Sequence, residues 1–251
     1  MQFSRGDYRV LWRRKVVVMA KTLETLQVSV SLILICLLVW APVVSGASAG
    51  VRITESIETL QDMAKEPDAR AMATLLQKAQ GVAIFPSVIK AGVLLGGKYG
   101  EGLVIQRNQE DGTWYGPSFI TMKGVSYGLQ FGVQSTALVL VINNEKGMES
   151  FRGTQRVTLG GDIGVAAGPV GRQAGASTDV DLQAAIYSYS ISKGIFAGFS
   201  LEGAVIEADE DANQAYWGKP IGPRQILGIE ATDRRMESLL EELENLMALG
   251  N

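Results

Sequence analysis

The chain of 251 residues is 47% hydrophobic and carries 23 basic and 26 acidic side chains, for a net charge of −3. It is long enough to bury a full core, and the lack of a strong basic stripe argues against nucleic acid as a partner. It contains no histidine and one cysteine, Cys36, which excludes Ser-His-Asp and Cys-His nucleophile systems and all but excludes zinc and copper sites.

The first 49 residues have the layout of a secretory signal peptide. A basic leader precedes an uncharged run from Val28 to Val44, and small residues follow, including the A-x-A cleavage motif Ala47-Ser48-Ala49. We therefore expect cleavage after residue 49, which leaves a mature chain that starts at Gly50. The alternative is an uncleaved anchor formed by residues 28–44, although these 17 residues are few for a membrane span, which needs about 20.

This leader predicts an exported protein of the periplasm or cell envelope. In the alternative, residues 28–44 anchor the protein in the inner membrane. Translation starts either at Met1 or at Met19, because the leader before Met19 is unusually long for a signal peptide.

Two amphipathic helices are predicted to follow the leader. Ile53, Ile57, Leu60 and Ala64 recur at helical spacing. A second helix is predicted to start at Pro67, because proline is favoured in the first helical turn. The polar face of the first helix is acidic, so this helix is expected to pack on the core of the chain rather than to bind anionic lipid.

From Val82 the sequence alternates between polar and apolar residues and is rich in β-branched and aromatic side chains, which predicts strands. Glycines recur within these strands, as at Gly124, Gly128 and Gly132, and they favour either a tightly curled sheet or room for a lipid chain. The predicted strands are Val82–Phe85, Ile89–Leu95, Gly102–Arg107, Thr113–Thr121, Ser126–Val133, Ala137–Ile142, Arg156–Ala167, Asp181–Ser190 and Gly194–Ala208.

Helical patterns return at three places, 144–151, 209–217 and the tail 234–249. The tail carries an apolar stripe formed by Met236, Leu239, Leu240, Leu243, Leu246 and Met247. This stripe either covers the chain's own sheet or joins a protein partner or a second copy through residues 233–251. The predicted fold is of the α+β class, with a curled, glycine-rich antiparallel β-sheet or partial barrel flanked by helices.

Several apparent catalytic motifs lack the context that their chemistry needs. Tyr189 and Lys193 fit Tyr-x-x-x-Lys, and Ser190 with Lys193 fits Ser-x-x-Lys, but both pairings require a helix and this stretch alternates like a strand. The acidic run 209–211 lacks the spacing and glycine of a calcium loop and suits the start of a helix. The sequence therefore predicts a protein that is not an enzyme and that has no metal or cofactor.

Ordered blocks of sequence run from Ile53 to Gly218 and together resemble the SYLF domain family. The most specific are Val165–Arg172 and Tyr187–Ser190. The other blocks are Val82–Gly92, Gly96–Gly102, Gly128–Ser135, Leu138–Val141, Ser192–Gly198 and Ala215–Gly218. The resemblance implies a SYLF-like domain at 50–218, followed by a C-terminal extension at 219–251 that contains the amphipathic acidic helix.

The resemblance also implies binding rather than catalysis. Eukaryotic SYLF proteins bind phosphoinositides and some bind actin filaments, whereas bacterial ones are exported lipid-binding proteins of the envelope. The matched blocks carry four basic residues that we expect to contact lipid headgroups, Lys90, Lys98, Arg172 and Lys193. They lie in or near the stretch 78–172, which has 9 basic and 6 acidic residues.

The sequence therefore predicts an exported, non-catalytic protein that binds lipid or an anionic membrane surface. The alternative function is that of a structural or interaction protein of the envelope that acts through its C-terminal helix.

Overall fold

The computed structural model describes residues 48–153, 156–168, 184–193, 201 and 203–250, all within one compact unit that spans 47–251. The predicted leader up to residue 47 and the candidate residue Arg172 lie outside the described residues. Among the helices that are described, none combines the length and the apolar character that crossing a bilayer requires.

Three of the predicted helices begin next to a capping residue. The side chains of Asn144, Asp209 and Asp233 each accept a backbone N–H of the first helical turn. The predicted start of the second helix at Pro67 is wrong by two residues, because this proline lies in the preceding turn. The helices of the described residues are α1 (Ala49–Met63), α2 (Ala69–Leu76), α3 (Glu145–Arg152), α4 (Glu210–Trp217), α5 (Pro223–Ile226) and α6 (Arg234–Ala248).

The strands predicted between residues 82 and 142 merge into two long ones. Their register shifts at three places, one of them between Phe85 and Val88, so Pro86 and Ser87 form a bulge that bends the strand without ending it. The described strands are β1 (Gly81–Arg107), β2 (Trp114–Ile142), β3 (Val157–Thr158), β4 (Val165–Ala167), β5 (Ile186–Lys193) and β6 (Val205–Ala208).

Strand β2 lies at the centre of the sheet. It pairs with β1 from Gly81 opposite Ile142 to Arg107 opposite Trp114. On its other edge β2 pairs with β5 over residues 135–142 and with β6 over residues 120–123. β3 then pairs with β6, and β4 pairs with β5. The β4–β5 pair is parallel, so the sheet is mixed rather than wholly antiparallel as predicted, and the α+β class is confirmed.

The sheet curls so strongly that the two halves of β1 touch each other. The backbone N–H of Arg107 donates to the carbonyl of Gln80 at 2.8 Å. A Cβ on Gly102 would overlap the Ile84 carbonyl oxygen, and one on Gly100 would lie 2.8 Å from Val88 Cγ2. Glycine is therefore required where the backbone crosses itself, which supports the interpretation of these glycines as the cause of the curl.

Each face of the sheet is covered by a separate core. Helices α1, α2 and α6 pack on the face that carries Phe119 and Val139, which we call the helix face. Helix α3 packs on the opposite face, against Leu138 and Leu140. The apolar stripe of α6 is buried in the helix-face core, with Leu240 partly buried, so it covers the chain's own fold.

Candidate functional site

The structure places two of the four basic residues that the sequence singles out at neighbouring positions along β2, but on opposite faces of the sheet. Lys90 in β1 is half-buried and lies opposite Gln134, and Lys193 at the end of β5 lies opposite the next residue of β2, Ser135. Lys98 pairs with Gly124 further along β2, and its residue is only 6% exposed. Of Lys90 and Lys98, Lys90 therefore has the side chain that is more accessible to solvent.

Lys90 and Lys98 belong to a stretch of the β1–β2 pair that has no carboxylates. We call residues 86–100 and 122–134 the distal hairpin; its charged residues are Lys90, Lys98 and Lys123. By contrast, the stretch 179–251 carries 5 basic and 13 acidic residues. The distal hairpin thus carries positive charge and no negative charge of its own.

Lys123 extends the basic character of the distal hairpin toward the neighbouring strand. Its ammonium pairs with Glu207 of β6, and the same carboxylate also accepts the guanidinium of Arg156 at 3.0 Å. The pKa of the Glu207 carboxyl is lowered, chiefly by the hydrogen bond from Lys123, so this group stays ionised at neutral pH. Two cations share one carboxylate, which leaves a surplus positive charge at this place.

A buried ionic cluster lies beside the distal hairpin and was not found from the sequence. The guanidinium of Arg52 in α1 lies 3.0 Å from Glu101 and 2.7 Å from Asp209, and it stands over the ring of Phe119. The hydroxyl of Tyr99 donates to Glu101 at 2.7 Å. Tyr99 lies at the exposed edge of the cluster, where partial desolvation, assisted by this hydrogen bond, raises its pKa to about 12.

This cluster holds the start of α1 against the sheet. Arg52 lies on the same row of the helix as Ser56 and Thr59, and all three are buried. A single arginine near several acidic residues ordinarily lies on the solvent-facing side of a helix. The sequence signal that could have revealed the burial of Arg52 is its spacing from Ser56, Thr59 and Met63, which follows the period of one helix face.

The apparent catalytic motif at Tyr189 does not have catalytic geometry. Tyr189 and Lys193 lie in strand β5, where residues four apart are separated by about 13 Å along the strand. Tyr189 is buried against Gly168, and burial raises the pKa of its hydroxyl above the ordinary value. Asp209, the first residue of the acidic run, caps α4 and binds Arg52. The part of the chain that the structure describes contains no cluster of three side chains suited to holding a metal ion.

Comparison with known proteins finds related sequences. Residues 123–246 match the family model described as "Ysc84: Las17-binding protein actin regulator". The chain is 41% identical over 155 residues to Protein YSC84 of Saccharomyces cerevisiae, which covers 61% of this chain and 33% of that protein. It is 36% identical over 180 residues to SH3 domain-containing YSC84-like protein 1 of Homo sapiens, covering 71% of this chain and 52% of that protein.

The chain thus spans about a third to a half of the length of these curated relatives. The matched segment runs to residue 246 and includes most of α6, beyond the Gly218 limit of the resemblance noted in the sequence. The limits of the predicted domains stay a prediction.

Proposed function

We propose, on the premise that residues 123–246 belong to the Ysc84 or SYLF family, that this protein is a non-catalytic binding protein. In this proposal it attaches to anionic membrane surfaces in an exported compartment. The observation that carries the proposal is the composition of the distal hairpin, whose charged residues are Lys90, Lys98 and Lys123 and which contains no carboxylate of its own. Lys98 is buried, so Lys90 and Lys123 are the two of these lysines that reach solvent. Each basic side chain near an anionic bilayer contributes roughly 1 kcal/mol, and salt weakens this attraction.

The distribution of charge supports one orientation of the protein on the membrane. The exposed side chains of α1 include Glu55 and Glu58, and Glu66 is exposed in the turn that follows. The acidic stretch 179–251 also repels anionic lipid. The distal hairpin is therefore the part that faces the bilayer in this proposal.

Flotation with vesicles tests the proposal. Residues 47–251, the compact unit that contains both cores, are mixed with vesicles of phosphatidylcholine alone or with added phosphatidylglycerol. We expect flotation with the anionic vesicles at low salt, and loss of flotation at high salt. Lys123→Glu is expected to weaken binding, whereas Lys65→Glu, a charge reversal at another exposed, ion-paired lysine outside the hairpin, serves as the matched control. If the wild-type protein stays with the soluble fraction at low salt, the proposal is wrong.

Export is a separate part of the proposal and rests on the sequence of the leader. The expected mature N-terminus is Gly50, and intact-mass measurement of the protein from its native host checks it. Retention of residues 28–44 in most molecules would instead make this a membrane-anchored protein.

The description of the matched family favours a second candidate function, the binding of a protein partner. It names Las17 binding and actin regulation, which for this chain we propose only as an alternative. Co-sedimentation of residues 47–251 with actin filaments tests it. Recovery with filaments, together with no affinity for anionic vesicles, would favour this alternative over lipid binding.

A further inference from the structure

The distal hairpin exposes large apolar side chains as well as positive charge. Val133 is 76% exposed, Val125 63%, Ile89 46% and Tyr99 41%. A single exposed apolar residue needs no explanation, but several within one part of a sheet mark an interaction surface.

The two valines lie on the helix face, beyond the helices that cover it. Val125 is six residues after Phe119 on β2, and Val133 is six residues before Val139. Side chains alternate along a strand. β2 keeps one register with β1 over residues 118–128 and with β5 over residues 135–142, and Val133 pairs with β1 in the same register as Ser135. All four side chains therefore lie on the same face of β2. The helix-face core buries Phe119 and Val139 toward the two ends of β2. Among the side chains described between them on this face, Lys123, Val125 and Val133 are exposed.

Strand β1 adds to the same surface. Val133 lies opposite Ala91 and Val125 opposite Gly97, so small residues face each valine across the strand pair. Ile89 and Tyr99 occupy the diagonal positions, within reach of the neighbouring valine. The four residues thus form two pairs, Ile89 with Val133 and Tyr99 with Val125, eight residues apart along β2. We call the four together the apolar patch.

Positive charge borders the apolar patch. Lys123 precedes Val125 by two residues and has its side chain on the same face, where it shares Glu207 with the exposed Arg156. Glu101, the nearest carboxylate along β1 on this face, binds Arg52 and accepts the hydroxyl of Tyr99. Exposed apolar side chains bordered by surplus positive charge are complementary to an anionic bilayer, which offers acyl chains below a negative surface.

We propose that the apolar patch inserts into the acyl region of an anionic bilayer, with Lys123 and Arg156 at the level of the lipid headgroups. This inference rests on the proposed function and assigns its contact surface to the sheet rather than to helix α1. The patch supplies the apolar contact that lysines alone do not provide, and it fixes which face of the sheet meets the membrane.

Charge substitution at the two valines tests the assignment. The double variant Val125→Glu/Val133→Glu of residues 47–251 is compared with Leu249→Glu, which places the same charge at another exposed apolar position. We expect the double variant to bind phosphatidylglycerol vesicles at least roughly tenfold more weakly than wild type, because glutamate disfavours insertion, and Leu249→Glu to bind as wild type. Both valines are exposed, so circular dichroism and the melting temperature are expected to remain unchanged.

A fluorescent label gives an independent measure of insertion. Residues 47–251 contain no cysteine, so Val133→Cys carries a single environment-sensitive label, and Lys65→Cys is the matched control. We expect a blue shift on binding vesicles for the label at residue 133 but not for the label at residue 65.

The outcomes separate this inference from the proposed function. If wild type binds the vesicles, but the double variant binds equally well and the label at residue 133 does not shift, the inference is wrong and the proposed function stands. If wild type binds no vesicle, both are wrong. A concentration-dependent dimer that the double variant dissociates, seen by light scattering, would assign the patch to a second copy and overturn its assignment to lipid.

Discussion

The guanidinium of Arg52 in α1 lies 2.7 Å from the carboxylate of Asp209, the residue that caps α4. The two residues are 157 positions apart in the sequence, and Glu101 of β1 binds the same guanidinium nitrogen. One buried cation thus joins the first described helix, the long central hairpin and the C-terminal part of the fold.

Replacement of this cation is expected to destabilise the protein strongly. In Arg52→Met, Glu101 and Asp209 lose the guanidinium that they share, and the free energy of unfolding is expected to fall by about 3–5 kcal/mol. Urea denaturation monitored by circular dichroism measures the change. The control is Lys65→Met, which removes an exposed ion pair with Asp62 and is expected to cost less than about 1 kcal/mol. Equal effects of the two substitutions would show that the Arg52 cluster does not stabilise the fold.

The crossing of β1 over itself is expected to tolerate only glycine at residue 102. In Gly102→Ala the new methyl group overlaps the Ile84 carbonyl oxygen, which is backbone and cannot rotate away, so we expect a loss of about 3 kcal/mol or more. Gly97→Ala is the matched control, because its Cβ meets no atom within 4 Å. The two variants are compared by thermal and urea denaturation. A Gly102→Ala protein as stable as the control would contradict the close approach of the two halves of β1.

The apolar stripe of α6 is expected to stabilise the fold rather than to recruit a partner. Leu243→Ala creates a cavity in the helix-face core and is expected to cost about 2–5 kcal/mol, with no change in oligomeric state. The same substitution at the exposed Leu249 is expected to cost less than about 1 kcal/mol. Denaturation and light scattering give the two readouts. An oligomer that Leu243→Ala dissociates at unchanged stability would restore the interaction hypothesis for residues 233–251.

The cap of α6 predicts a dependence of stability on pH. The hydrogen bond from Arg235 is the main cause that lowers the pKa of the Asp233 carboxyl, from 3.8 to about 2. Because the folded-state pKa lies below the unfolded value, this carboxylate stabilises the fold above about pH 4, and the contribution is lost as the pH falls toward 2. The pair is partly exposed to solvent, so the contribution is expected not to exceed about 1 kcal/mol.

Asp233→Asn removes the charge of the carboxylate but keeps the helix cap, because asparagine also caps helices well. We expect the variant to lose less stability than wild type between pH 4 and pH 2, as measured by urea denaturation at each pH. Parallel pH profiles for the two proteins would contradict the assignment of this dependence to Asp233.

The helices could be predicted closely where the apolar period and a capping residue agree. Helix α6 was predicted at 234–249 and is observed at Arg234–Ala248, because the stripe and the cap at Asp233 specify the same segment. The long strands could not be predicted, since Pro86 and the glycines of the distal hairpin are residues that ordinarily mark strand ends. In this sheet they bend the strands and allow close backbone contact.

The candidate site could be predicted only in part. The sequence identified Lys90, whose residue is half-buried, but it gave no sign that Lys98 is buried. The apolar patch was also missed, because alternation along a strand tells which residues share a face but not where the covering helices end. The place where the covering helices end depends on how α1 and α6 pack on the sheet, and this packing is a tertiary feature.

The packing of α1 against α6 also has a consequence for the order in which the protein folds. Helix α1 is synthesised well before its partners Asp209 and α6. At about 5–20 residues per second, the 157 positions between Arg52 and Asp209 correspond to a wait on the order of 10–30 seconds. During synthesis the apolar face of α1 therefore remains without its native cover, and the domain completes its core only after its C-terminal helix has left the ribosome.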